Sequence, residues 1–243
     1  MSSQLNVACL QNCAGTDVSQ NLQDLRVMID GARADGADLV CLPEYGTCLG
    51  VDGVEFVVGA NPEDSHPALA FLSDVAKDAG VWILIGSMAV NAAGGKIVNR
   101  SLLLNDLGEV VSRYDKIHLF DMNFKGQQIR ESSKSQAGLK PVIAQVNQLK
   151  LGMSICYDLR FPELYRHYAK ERVELISVPS SFTKITGEAH WHCLLRARAI
   201  ENQAFVIAPN QGGDNQGVKS YGHSMIIDPW GKILAEAGEE ETI

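Results

Sequence analysis

The 243-residue sequence has no apolar run approaching the roughly 20 residues that a membrane helix needs, and its longest, such as residues 81–85, are of strand length. Nor has it a basic cluster longer than a pair. With 21 Lys+Arg against 29 Asp+Glu and a net charge of −8, nucleic acid and anionic membranes are poor partners. The six cysteines (Cys9, Cys13, Cys41, Cys48, Cys156, Cys193) contain no Cys-x-x-Cys pair, and Met1-Ser2-Ser3-Gln4-Leu5-Asn6 has no basic stretch leading into an apolar one. The expected setting is the cytoplasm, with reduced thiols, and the Asn99-Arg100-Ser101 sequon is then coincidence. No linker composition divides the chain, and the one charge run, Glu239-Glu240-Glu241, reads as a solvated edge. The expectation is one domain over residues 1–243. A chain of this length buries roughly 70–75% of its unfolded surface, so the core needs neither disulfides nor a metal.

What the sequence does contain is an alternation of strand-length apolar runs with helical periodicity. Residues 5–10 read as a buried strand, and Leu22, Leu25, Met28 and Ala32 fall on one helix face ending near Gly36. A strand at 39–42, a helix from Pro67 closed by Gly80, and a strand at 81–86 follow. The middle changes character: Gly94-Gly95, Asp106-Leu107-Gly108 and Asn147-Gln148 punctuate strand-like runs at 97–105, 110–114, 141–146 and 149–156, with no helix between them. These read as antiparallel neighbours. The α/β rhythm then resumes with a helix entered at Pro162-Glu163, a strand at 175–178, a helix over 187–202, strands at 204–209 and 224–227, and a turn at Asp228-Pro229-Trp230-Gly231. An internal echo links residues 38–44 to 174–180, each running from an acid through four mostly apolar residues into Pro43-Glu44 or Pro179-Ser180. The economical architecture is α/β, with two sheets face to face and helices outside.

Three chemically active residues stand at the ends of apolar strands, where α/β folds open into clefts: Glu44, Lys116 and Cys156. Each alone has a bland reading, as a cap, a surface lysine or a small buried hydrophobe. Together they complement one another. A thiol with a free pKa near 8.5 needs a base or a nearby cation to become an effective nucleophile. A carboxylate can be that base, and an ammonium can hold charge developing on a carbonyl oxygen. Cys156-Tyr157-Asp158 lies between a strand and the helix at Pro162, where free backbone N–H groups could face an oxyanion.

Leu42-Pro43-Glu44, the block Tyr114-Asp115-Lys116-Ile117-His118-Leu119-Phe120-Asp121, and the block from Ser154-Ile155-Cys156-Tyr157-Asp158 through Arg160-Phe161-Pro162-Glu163 to Arg166 resemble the three signature blocks of the nitrilase superfamily, the carbon–nitrogen hydrolases. The resemblance extends to Phe182-Thr183, Ala189-His190-Trp191, residues 196–202 and residues 220–231. These later blocks look more like the branch with deaminated-glutathione amidases than like ω-amidases or true nitrilases. The resemblance implies a four-layer α-β-β-α sandwich of two mixed sheets and a cofactor-free thiol amidase cleaving a small, carboxylate-bearing linear amide to acid and ammonia through a cysteine thioester. Glu44 would be the general base, Lys116 the stabiliser of the tetrahedral intermediate and Cys156 the nucleophile. Glu131 would position the amide and the lysine, and the Tyr157 N–H would complete the oxyanion site. Arg160 and Thr183 are candidates to hold the substrate carboxylate; for Arg160 the competing reading is an ion pair with Asp158 or Glu163. A homodimer or higher homo-oligomer is also implied. The sequence departs from the family in three places: it ends at Glu241-Thr242-Ile243, where a further strand and a C-terminal arm are usual; His192 stands where an acid is common; and Gln136-Ala137-Gly138 replaces a Pro-Gly turn. Rival readings are another carbon–nitrogen hydrolase activity, acyl transfer to an amine or thiol, and a non-catalytic binding protein.

No metal site is expected. His190 and His192, two apart on a helix, point to different faces and cannot chelate one ion as an i, i+4 pair could. His118 and His223 could each serve a cysteine as base, but packing and hydrogen bonding are the simpler roles. Cys9, Cys41 and Cys193 read as core.

Overall fold

The computed structural model describes residues 4–52, 55–124 and 127–243. Its first sheet comprises β1 (Val7–Cys9), β2 (Leu39–Cys41), β3 (Trp82–Asn91), β4 (Ile97–Leu104) and β5 (Val110–Asp115), side by side in that order. β1, β2 and β3 run parallel, while β4 and β5 return antiparallel. The second sheet, likewise in chain order, contains β6 (Val142–Val146), β7 (Leu149–Met153), β8 (Leu175–Ser177), β9 (Phe205–Ala208), β10 (Met225–Ile227) and β11 (Ile233–Glu236). Only β7–β8 and β8–β9 are parallel. Helices α1 (Val18–Ala34) and α2 (Pro67–Ala79) join the parallel strands of the first sheet, and α3 (Pro162–Lys170) and α4 (Lys184–Asn202) those of the second.

The period-2 alternation of strand side chains explains the layering. Leu39, Cys41, Leu84, Leu103 and Tyr114 share a buried cluster with Leu151, Met153, Leu175 and Ile207 of the other sheet, and this cluster continues through Ile176 and Val206 on that sheet's other face to Tyr165, Trp191 and Leu195 on α3 and α4. The alternate residues Val40, Leu42, Ile83, Ile85, Leu102 and Leu104 pack instead against Leu22, Leu25, Ile29, Leu72 and Val75 of α1 and α2. The result is the α-β-β-α sandwich. α1 starts at Asp17, whose carboxylate accepts the Gln20 N–H, and α2 starts on Pro67 and ends at left-handed Gly80.

Several boundaries differ from the sequence reading. β3 continues beyond residue 86 to Asn91 because Ser87–Val90 remain buried after a register shift between Ile85 and Met88. Gly86 permits this: a Cβ there would lie 1.9 Å from the Leu42 carbonyl oxygen. β7 ends at Met153, three residues short of Cys156, because the Ile155 N–H turns to the Asp158 carboxylate at 2.9 Å and a short 3₁₀ helix, Cys156–Arg160, begins. α4 starts at Lys184, earlier than residue 187, because Thr183 caps it. β11 and the hairpin pairing Asp121–Phe124 with Gln127–Arg130 are unanticipated. Cys193 is exposed, a correction to its assignment as core: α4 turns it away from the apolar face that carries Trp191 and Leu195.

Candidate active site

The strand ends deliver the site. Glu44 follows β2, Lys116 follows β5, and Cys156 opens the 3₁₀ helix after β7 with φ 47°, a left-handed conformation unusual for a non-glycine residue. The Cys156 N–H donates to Pro179 O at 2.9 Å, which fixes this turn against the segment after β8. Glu131 sits just beyond the Asp121–Arg130 hairpin, and its N–H donates to Phe120 O.

Lys116 is 2% exposed and its ammonium donates to Glu44 Oε1 and Glu131 Oε2, both at 2.9 Å. An ammonium has three donors, so one N–H remains for a ligand in the cavity. Burial works against the charge on Lys116, but the carboxylates of Glu131 and Glu44 outweigh it and hold the ammonium protonated far above the ordinary lysine range. Glu44 Oε2 accepts the Ser181 N–H at 3.0 Å, and Glu131 Oε2 also accepts the Phe120 N–H at 2.6 Å. Burial and the nearby Glu44 carboxylate push the Cys156 thiol well above its usual pKa, with Lys116 acting in the opposite sense. Cys156 is therefore held as a neutral thiol beside a carboxylate.

Glu44, Lys116, Glu131, Cys156, Tyr157, Arg160 and Thr183 all line one cavity of about 250 Å³. The Tyr157 N–H lies in the first turn of the 3₁₀ helix, where backbone donors have no partner inside the helix. Apolar walls come from Leu49, Val58, Ile97, Phe120 and Phe182. Arg160 is not paired with Asp158 or Glu163. Its guanidinium lies 5.7 Å from the Tyr157 ring and 5.4 Å from the Phe182 ring, with Nη1 3.3 Å from His190 Nδ1. Asp158 is fully engaged elsewhere, with Tyr114, Ile155 and His118. The Thr183 hydroxyl caps α4 through Thr186 while its side chain borders the cavity.

Sequence reasoning missed Asn99. Fully buried on β4, it donates through Nδ2 to Glu44 Oε1 at 2.9 Å and to Glu131 Oε1 at 3.1 Å, and its own Oδ1 has no partner. A polar residue in an apolar strand was the available signal, though it presented itself as a sequon. His118 bonds Asp158 and stacks on Phe161 at 3.7 Å, and His223 bonds Glu236. Neither lines the cavity.

The sequence pattern of the carbon–nitrogen hydrolase family matches residues 6–243. The chain belongs to this family. The carbon–nitrogen hydrolase is 39% identical to a deaminated glutathione amidase of Yersinia enterocolitica over 95% of this chain and 82% of the relative. It is 41% identical to a deaminated glutathione amidase of Synechocystis, over 96% of this chain and 87% of that one. Saccharomyces cerevisiae Nit3, a member of branch 10 of the nitrilase superfamily, superposes with a TM-score of 0.87 at 31% identity, covering 100% of this chain and 90% of its own. The hydrolase thus acts on carbon–nitrogen bonds. No helix among the described residues is long and apolar enough to cross a membrane.

Proposed function

We propose that the protein is a thiol amidase that hydrolyses a small linear amide bearing a carboxylate, and that deaminated glutathione, named for the Yersinia and Synechocystis relatives, represents its substrate class. The observation that supports this best is the convergence of Glu44, Lys116, Glu131 and Cys156 on one cavity, with Arg160 in the same wall. Glu44 takes the thiol proton as Cys156 Sγ attacks the amide carbon. The developing oxyanion is held by the remaining Lys116 N–H and the Tyr157 N–H. As the C–N bond breaks, Glu44 returns the proton to the leaving nitrogen, which departs as ammonia from a primary amide or as an amine from a secondary one. Water then attacks the thioester, Glu44 accepts its proton, and collapse releases the acid and restores the thiol. Glu131 and Asn99 hold Lys116 and Glu44 in place.

Intact-mass measurement after brief exposure to amides tests the chemistry. A transient acyl adduct that maps to Cys156 and is absent from Cys156→Ala is expected; turnover by Cys156→Ala would overturn the proposal. The cytoplasmic setting belongs to the same reading, and all six cysteines are unpaired. A homodimer or higher homo-oligomer is proposed with it, to be checked by light scattering: Trp230 and Ile200 are 89% and 50% exposed, apolar side chains that association would cover.

A further inference from the structure

Away from the cavity, three ligand-type side chains from three separate elements converge. His192 Nε2 of α4 lies 2.7 Å from Glu236 Oε1 of β11, and His223 Nδ1, from the loop entering β10, lies 2.9 Å from the same oxygen. All three ligand atoms fall within 4.8 Å of one another. None of these residues lines the catalytic cavity.

The surrounding structure holds the trio in place. Trp191 Nε1 donates to His223 O at 2.8 Å, the His223 N–H donates to Gly238 O at 2.8 Å, and the Tyr221 ring stacks on the His223 imidazole with centroids 4.5 Å apart. His223 is kept at φ 53°, a conformation that costs free energy in a non-glycine residue and persists only where its surroundings impose it. Glu236 is fixed by β11, opposite Met225 of β10. Glu236 Oε2 makes no protein hydrogen bond among the described residues, so a second carboxylate oxygen is available. The two short contacts are hydrogen bonds, yet the same two ring nitrogens and the Glu236 carboxylate, gathered from three elements within 4.8 Å, form a donor set that a cation can use in their place.

We propose that His192, His223 and Glu236 form a binding site for a divalent cation of the zinc class, cross-linking α4 to the β10–β11 edge of the second sheet. Two imidazoles and one carboxylate suit zinc and its first-row neighbours, whereas calcium and magnesium take all-oxygen sets. Each imidazole presents a ring-nitrogen lone pair in its neutral form, and the cation replaces the two N–H bonds to Glu236. Three protein ligands, each side chain 24–36% exposed, leave a fourth position open to water.

Titration of the chelator-treated, desalted full chain with Co²⁺, followed by displacement with Zn²⁺, tests the site. One equivalent should bind, with ligand-field absorption and a rise in Tm. His192→Ala and Glu236→Gln should each weaken binding at least tenfold, the order by which even outer-shell changes weaken metal sites. Glu236→Gln keeps an acceptor for both imidazoles, so it removes the anionic ligand while leaving a hydrogen-bonded clamp, and circular dichroism checks that both variants remain folded. Failure to bind Co²⁺ at tenfold excess, or equal affinity in the two variants and the unaltered chain, overturns the proposal.

Discussion

The Tyr114 hydroxyl donates to Asp158 Oδ2 across 2.7 Å, tying the strand that leads into Lys116 to the turn that carries Cys156. Asp158 is fully buried, and its oxygens also accept the Ile155 N–H, the His118 N–H and His118 Nδ1 at 2.9, 3.0 and 2.7 Å. One carboxylate therefore sets the spacing between the two segments. In Asp158→Asn one amide group replaces an acceptor oxygen with a donor and leaves at least one buried N–H unpaired, costing about 1–3 kcal/mol. A displacement of about an ångström between Lys116 and Cys156 lowers kcat by about a hundredfold. Tyr114→Phe should lose about 1 kcal/mol with a smaller effect on kcat. Measuring urea denaturation and kcat on both variants checks the order; equal activity of Asp158→Asn and the unaltered enzyme would remove Asp158 from site positioning.

Lys116→Arg separates the oxyanion role from that of a generic positive charge. An ammonium fits between Glu44 and Glu131 and still has a donor for the substrate, whereas a guanidinium is planar, larger and fixed in its fork. The expected loss is about 10²–10³ in kcat, the usual consequence of losing an oxyanion donor, in a chain that still folds. Activity within a few-fold of the unaltered enzyme would reassign Lys116 to ion pairing alone.

Arg160, which has no carboxylate within ion-pair reach among the described residues, has its charge available to a substrate anion. Arg160→Ala should raise KM strongly for a carboxylate-bearing amide and little for a neutral amide of equal size. Paired kinetics on the two amides decide it, and equal losses would point to a packing role over Tyr157 and Phe182.

Alkaline pH should destabilise the fold. Burial, and to a lesser extent Cys9, raises the pKa of the fully buried Cys41 thiol well above 9.0, and burial together with Asp158 raises that of Tyr165 well above 10.0. Both groups stay neutral in the native state while the unfolded chain ionises, so their contribution is complete below pH 9 and is lost as pH rises past 9 and 10 respectively. Each contributes a slope approaching about 1.4 kcal/mol per pH unit. Urea unfolding between pH 8 and 11 measures the fall, and Cys41→Ala should flatten it; an unchanged slope would show that Cys41 ionises as readily folded as unfolded.

Much of this was legible in the sequence where a local rule governs. Pro67 and Gly80 bracket α2, and the alternation of residues 39–42 and 102–104 fixes which side chains face which layer. Glu44, Lys116 and Cys156 could be read as polar groups ending apolar strands, whereas Glu131 was reachable only through the family resemblance. Asn99 was hidden because its value lies in two carboxylates 55 and 32 residues away. β11 was missed because Ile233-Leu234-Ala235 is too short an apolar run to mark a strand, and its pairing with β10 makes it one. The neighbours of His192 were out of reach for the same reason: His223 and Glu236 lie 31 and 44 residues downstream, and only the fold brings them together.

The internal echo also has a structural outcome. Pro43-Glu44 and Pro179-Ser180 follow equivalent inner strands of the two sheets, and the next N–H, that of Ser181, donates to Glu44 Oε2. Glu44, Asn99 and Lys116 come from the first sheet, and Cys156 and Ser181 from the second. Neither sheet carries the proposed constellation by itself. With the proposed site residues carrying the chemistry, amide cleavage returns during refolding only when the two halves have docked in register, so recovery of activity would time the closing of the sandwich and not the formation of either sheet.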